Sequence, residues 1–540
     1  MTAFGTLLRQ RLRRDRLQLA LWLVGTALLA YSSVAAVADT YGSESERSEI
    51  LQLATASRTI LVFRGTPNGP ELGAFLFFQI FAWLALMGGL MSTFLVTRHT
   101  RAEEEQGRAE LIAATPAGRV APTVATLVLG VLANLALGAL VALAFIVGGL
   151  EAAGSWVAGA AIAASGIAFV AIGLLAAQLF RTSRGANGAG VAAVVGAYLL
   201  RGIGDASGTP SSDLLHVTPA WPSLLSPIGW GQATGAYVEN DVAPLMLALG
   251  FTAVLVGVVF WLQSVRDQGA SLLPGRNGRA AAGPALSNSF GLAWRLNVST
   301  LIAWAVGGAV AGLTASSLSE LVAQLGGEAP EIADTLQAAL GGGATLEQAF
   351  IATFFGIIGV LAACSAVQVG IRARQEEAHG TAEQVLATAV PRTRWLLEYW
   401  FVGVIVIVVV LAAAWLAGLA GAATSDGADE LVPLISQAAL AQLPVSLVFL
   451  GLVLLAFVWM PRLTIVLGWV LVGGAAILGT FGPLLGAPDW LTDLSPFTHS
   501  PVPTGDDVDW AGGFWMLAIG LVAAALAVAS MRRRELTTAG

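Results

Sequence analysis

The chain contains no lysine. All 27 basic residues among its 540 are arginine. A phosphate-binding loop of the GxxxxGK(S/T) kind therefore cannot exist in it, which excludes ATP binding by that route. Charge of either sign is scarce. Only 11% of residues are charged and 56% are hydrophobic, against about 25% charged in soluble domains. The single cysteine, Cys364, lies in an apolar run. It can form no intramolecular disulfide, fits no metal pattern and reads as a small buried apolar residue. His99, His216, His379 and His499 are scattered without ligand spacing, so no metal site is expected. No short apolar core followed by a small-residue cleavage site opens the chain, and no signal peptide is expected.

What the chain does have is long apolar runs. A bilayer core of about 30 Å needs roughly 20 apolar residues per helix. Uncharged runs at 17–38, 72–97, 120–150, 152–180, 185–200 and 242–265 predict six spans. Runs at 296–319, 348–371, 399–425, 431–461, 463–488 and 510–531 predict six more. The run 185–200 is short and holds Gly185, Gly188, Gly190 and Gly196, which would let helices approach closely. Residues 1–16, with five arginines and a periodic Phe4, Leu7, Leu8 and Leu12, predict an interfacial helix feeding the first span.

Two charged islands interrupt the apolar sequence. RAEEEQGRAELIAATPAGR at 101–119 and RQEEAHGTAEQVLATAVPR at 374–392 align without a gap at an offset of 273, with nine of nineteen positions identical. An internal repeat of this kind divides the chain. The start also recurs, with Phe4, Gly5 and Arg9 matching Phe290, Gly291 and Arg295. The expected organisation is a first six-helix half at 1–266, a Gly/Ala/Pro-rich linker at 267–288 and a second half at 289–540.

Arginine orients the chain. With both termini in the cytoplasm and twelve alternating spans, 23 arginines fall inside and only Arg47, Arg58, Arg64 and Arg201 outside. Both charged islands then face the cytoplasm, since charges at the bilayer centre cost about 2.5–3.5 kcal/mol each. Glu103 and Glu104, with Glu376 and Glu377, would pair with arginines such as Arg98 or Arg372. On the opposite face PAWPSLLSP at 219–227 and PDWLTDLSP at 488–496 form a second repeat, matching Trp221 with Trp490 and Pro227 with Pro496. A short re-entrant or lid-like element and an ordinary outer loop both fit these residues.

The islands resemble the G-T-x-E-x-L-L-A-T-P-V-x-R segment of type-2 ABC transporter permeases. The first keeps Gly107, Glu110, Ala114, Thr115, Pro116 and Arg119, with Arg108 in place of threonine. The second keeps Gly380, Thr381, Glu383, Ala387, Thr388 and Arg392, with Ala389 in place of proline. The duplicated form, with LSP before each last span, is similar to actinobacterial permeases that export polyketide antibiotics. The resemblance covers essentially the whole chain. It implies an all-α integral membrane protein made of two fused six-helix exporter halves with cytoplasmic coupling helices, resident in the cell membrane.

It also implies roles. Glu103, Glu104, Gly107, Glu110, Thr115 and Arg119, and in the second copy Glu376, Glu377, Gly380, Glu383, Thr388 and Arg392, would couple to two copies of a separate ABC ATPase. That ATPase, not this chain, would hold ATP and Mg. Gly107 and Gly380 suit a helix break after each acidic turn. In such permeases the second and fifth spans line the path. Phe75, Phe78, Gln79 and Phe81, with Phe350, Phe354 and Phe355, would then face a lipophilic substrate.

The lone amides Gln79, Asn134, Gln178 and Gln368 read as interhelical hydrogen bonds. No acidic residue falls mid-span, which argues against an ion-coupled carrier, and no nucleophile–base pair suggests an enzyme. The expected function is the permease subunit of an ATP-driven exporter of antibiotics or drugs. The alternative is an ATP-independent carrier or channel for hydrophobic compounds or lipids. The lipid bilayer is a partner in either case; nucleic acid is not expected to be one.

Overall fold

A computed structural model describes residues 3–115, 117–267, 269–273, 283–328, 346–423, 428–481, 488–501 and 508–535. Nearly half of the linker 267–288, Pro116 and parts of the outer stretches 320–347 and 483–509 lie outside the described residues. The chain is an all-α integral membrane protein. Eleven helices among the described residues are long and apolar enough to cross a bilayer, and Thr464–Gly479 is a shorter apolar one. Two compact units, Met1–Gly278 and Arg279–Gly540, divide the chain.

The first unit runs α1 (Ala3–Thr40), α2 (Glu44–Ala56), α3 (Arg58–Arg64), α4 (Leu72–His99), α5 (Arg101–Glu105), α6 (Arg108–Ala113), α7 (Ala121–Val147), α8 (Ala152–Leu179), α9 (Ser183–Ala206), α10 (Pro227–Gln232) and α11 (Ala243–Val265). The second runs α12 (Ser289–Glu328), α13 (Leu346–Ala378), α14 (Thr381–Leu386), α15 (Arg392–Ala422), α16 (Ala428–Trp459), α17 (Thr464–Phe481), α18 (Asp489–Thr492) and α19 (Ala511–Met531).

The packing repeats between units. In the first, α1 packs on α7, while α4 and α11 pack on α8; in the second, α12 packs on α15, while α13 and α19 pack on α16. The fourth span is central in each. Apolar residues surround it on all sides, as a fully buried helix requires, and 83% of the α8 span and 78% of the α16 span are buried. Small residues set the closest approach: a Cβ on Gly138 of α7 would strike the carbonyl of Gly159 on α8, and the reverse holds.

Three sequence expectations are corrected. Residues 1–16 do not form a separate interfacial helix, because α1 is continuous over 38 residues. At 1.5 Å per residue that is about 57 Å, so its basic start projects beyond the hydrocarbon as an extension of the span. The short run 185–200 is the middle of a 24-residue helix, α9, so the expected span is present and longer than its uncharged run. It buries Arg201, expected outside, in an ion pair of 3.0 Å with Asp205. Of the four glycines in that run only Gly190 sits against another long helix, at Thr93 of α4. The partner run 463–488 is described as α17, Thr464–Phe481.

Candidate functional site

The charged islands fold alike. Each ends an acidic helical stretch in a left-handed glycine, Gly107 at φ 70° and Gly380 at φ 73°, and each glycine opens a six-residue helix, α6 or α14. A Cβ at either would meet nothing within 4 Å. The glycine is therefore required by backbone conformation alone, which costs other L-residues about 1–2 kcal/mol. Past the break the same face is exposed in both copies: Glu110, Leu111, Ala114 and Thr115, matched by Glu383, Gln384, Ala387 and Thr388.

Before the break the carboxylates turn inward. Glu104 takes Arg266 at 2.7 Å and also pairs with Arg101. Glu377, one offset later, takes Arg534 at 2.8 Å. Arg266 follows α11 and Arg534 follows α19, so each island is tied to the last span of its own unit. The islands' final arginines complete the tie: Arg119 donates to the carbonyl of Arg266 at 2.8 Å, and Arg392 to that of Arg534. Burial lowers the pKa of Arg534 from the ordinary arginine range, and Glu377 opposes that shift. Glu376 pairs with Arg372 at 2.6 Å, as the sequence suggested.

The first island has a further anchor. Buried Arg11 of α1 donates to Glu103 at 3.2 Å, to Pro122 O at 2.7 Å and to His99 O at 3.1 Å. Taking the His99 carbonyl out of the helical ladder accounts for the break between α4 and α5 at Thr100. Asp15 bonds His99 and pairs with Arg98 at 3.1 Å. Arg98 therefore serves Asp15, while Glu103 is held by Arg11 and Arg14. The second unit has Asn297 and Leu301 near the corresponding places, and α13 runs unbroken to Ala378. A polar cavity of about 40 Å³ lies beside the first island, lined by Glu103, Glu104, Arg119, Gln178, Gln263 and Arg266 among others.

At the other end of each unit the LSP serine is the fixed point. Ser226 is buried, donates to Ala197 O on α9 at 2.7 Å and accepts from Ile228 N at 3.2 Å. Ser495 is buried, donates to Ala475 O on α17 at 2.7 Å and accepts from Phe497 N at 3.2 Å. Trp221 and Trp490 are 70% and 67% exposed. The copies then diverge. Pro227 opens α10, which is wholly buried against α8, whereas Pro496 opens a single half-exposed turn.

A family model described as the C-terminal domain of the multidrug efflux system permease Rv1217c matches residues 286–532. The chain is also 36% identical, over 543 residues, to the multidrug efflux system permease protein Rv1217c of Mycobacterium tuberculosis, covering 98% of this chain and 94% of that one. The chain belongs to the multidrug efflux permease family. It is a multi-pass membrane permease.

The permease places the aromatic stripes differently in its two units. Phe75, Phe78 and Phe81 are buried in the core of the first unit, with Phe75 and Phe78 6.3 Å apart. Phe350 and Phe354 are half-buried, with tilted rings 4.7 Å apart, while Phe355 is buried. Gln79 is half-buried, and its Nε2 has no hydrogen-bond partner among the described residues. An apolar crevice of about 320 Å³ opens instead between α15 and α16, lined by Val408, Leu411, Trp415, Ser436 and Leu440 among others. Two of the four lone amides do bridge helices: Asn134 donates to Ser92, and Gln368 accepts from Trp304. Sequence reasoning missed Arg11, Asp15, Arg266 and Arg534. The available signal was basic residues just past the last span of each half.

Proposed function

We propose that this permease is the membrane subunit of an ATP-driven ABC exporter, oriented with both termini in the cytoplasm of the cell. Two copies of a separate ATPase, holding ATP and Mg, dock on the faces Glu110–Thr115 and Glu383–Thr388. The observation that supports this best is the duplicated island. Two glycine-broken segments of the same geometry each expose one face and are roped by an ion pair to the last span of their unit. A force applied to either exposed face reaches a membrane helix through that pair. Lipophilic drugs or antibiotics are the cargo that apolar spans suit.

One feature favours the ATP-independent carrier reading, the buried Arg201–Asp205 pair. Asp205, however, also accepts from Ser223 at 3.1 Å and Gln232 at 3.0 Å, bonds suited to holding α10 against α9. The deciding experiment purifies the chain alone and with its ATPase. The chain alone should hydrolyse no ATP, and the complex should contain two ATPases per permease and lower retention of a lipophilic antibiotic in cells. Efflux that persists without any ATPase would refute the proposal.

A further inference from the structure

We infer that the first unit carries a binding site for one anionic phospholipid along the outer face of α1. The five arginines at the start of this helix divide by face. Arg11 and Arg14 reach Glu103. Arg9, Arg13 and Arg16 are exposed, and none has an ion pair among the described residues. Their i, i+4, i+7 spacing sets them on one stripe of the helix.

Further along, that stripe turns apolar. Ala20, Val24, Leu28 and Tyr31 continue it, flanked by Leu17 and Leu21, and all are exposed, Leu17 by 72% and Leu21 by 76%. A basic cluster by itself would suit any polyanion, and an apolar stripe any acyl chain. The junction at Arg16 and Leu17 suits a molecule anionic at one end and apolar along the rest. From Arg16 to Leu28 the helix rises about 18 Å, close to half of a bilayer core of about 30 Å, the depth of one leaflet. The second unit provides an internal comparison. On α12 the apolar stripe recurs in exposed Ile302, Val306 and Val310, but Arg295 is the helix's one arginine.

The test is native mass spectrometry of the full chain titrated with palmitoyl-oleoyl phosphatidylglycerol or the matching phosphatidylcholine. The wild type should hold one phosphatidylglycerol at least about tenfold more tightly than phosphatidylcholine, since each arginine near an anionic headgroup contributes about fivefold. Arg9→Gln/Arg13→Gln/Arg16→Gln should lose that preference, and Arg9→Lys/Arg13→Lys/Arg16→Lys should keep it. Arg532→Gln/Arg533→Gln, which removes two exposed arginines beyond α19, should keep it too. Unchanged preference in the glutamine triple overturns the site. So does equal loss in the Arg532/Arg533 variant, which would assign the effect to basic charge in general. Should the glutamine triple fail to insert, photocrosslinking of the wild type with an acyl-diazirine phosphatidylglycerol decides. Crosslinks concentrated at 17–28 support the site, and an equal spread over α12 overturns it.

Discussion

Arg534 closes onto Glu377 with two hydrogen bonds, 2.8 and 3.0 Å long, from beyond the last helix of its unit. The guanidinium also lies 4.6 Å over the ring of Phe457, so it is held by charge and by a π face together. Breaking a buried pair at one partner leaves an uncompensated charge and costs about 3–5 kcal/mol. Glu377→Gln should therefore lower the thermal stability of the purified permease markedly. Glu377→Leu combined with Arg534→Met should recover only part of it, because buried Arg374 also lies 4.0 Å from Glu377. A Glu377→Gln protein that melts with the wild type would remove the tie.

The glycine breaks make a second prediction. Because nothing crowds a Cβ at Gly107 or Gly380, only the left-handed backbone penalises substitution. Gly107→Ala and Gly380→Ala should each cost about 1–2 kcal/mol, and asparagine at the same position distinctly less. Thermal melts of the four variants check the order. Equal melting of the alanine and asparagine variants would mean that the turn relaxes.

Exposure separates the carboxylates of the first island. Glu110→Arg lies on the open face and should leave the melting temperature unchanged while weakening ATPase retention in a pull-down. Glu103→Gln faces Arg11 and should do the reverse, lowering stability at first and affecting retention only as a consequence. If Glu110→Arg retains the ATPase normally in a competent complex, the docking face lies elsewhere.

The buried serines before each last span predict matched losses. Ser226→Ala and Ser495→Ala each remove a cap on a short helix and a bond to the fifth span. Each should cost about 1–2 kcal/mol. Hydrogen exchange should rise at Ile228 in the first variant and at Phe497 in the second. Protection unchanged at both positions would show that the serines do not hold these turns.

Orientation is open to single-cysteine labelling once Cys364→Ala has removed the native thiol. Glu105→Cys and Ala378→Cys should react with an impermeant maleimide only from the cytoplasm, and Ser45→Cys only from outside. Labelling of positions 105 and 378 from opposite faces would contradict two halves of the same orientation.

By itself the sequence determined the membrane class, the helical spans and the duplication. These follow from apolar run length and from spacing along the chain, and both are local properties. It also located the glycine breaks, because a glycine closing an acidic turn is a local signal. Tertiary structure decided what the charges are for. Arg532, Arg533 and Arg534 are equivalent in sequence, yet Arg534 is the one paired with Glu377 while its two neighbours are exposed. Likewise Glu103 and Glu110 read as one acidic face, but packing against α1 buries the first and leaves the second in the open. The fifth span of the first unit was underestimated because Arg201 and Asp205 look like loop residues until they neutralise each other. A pair of charges is legible as a pair only when the distance between them is known, and that distance is set by how the helices pack.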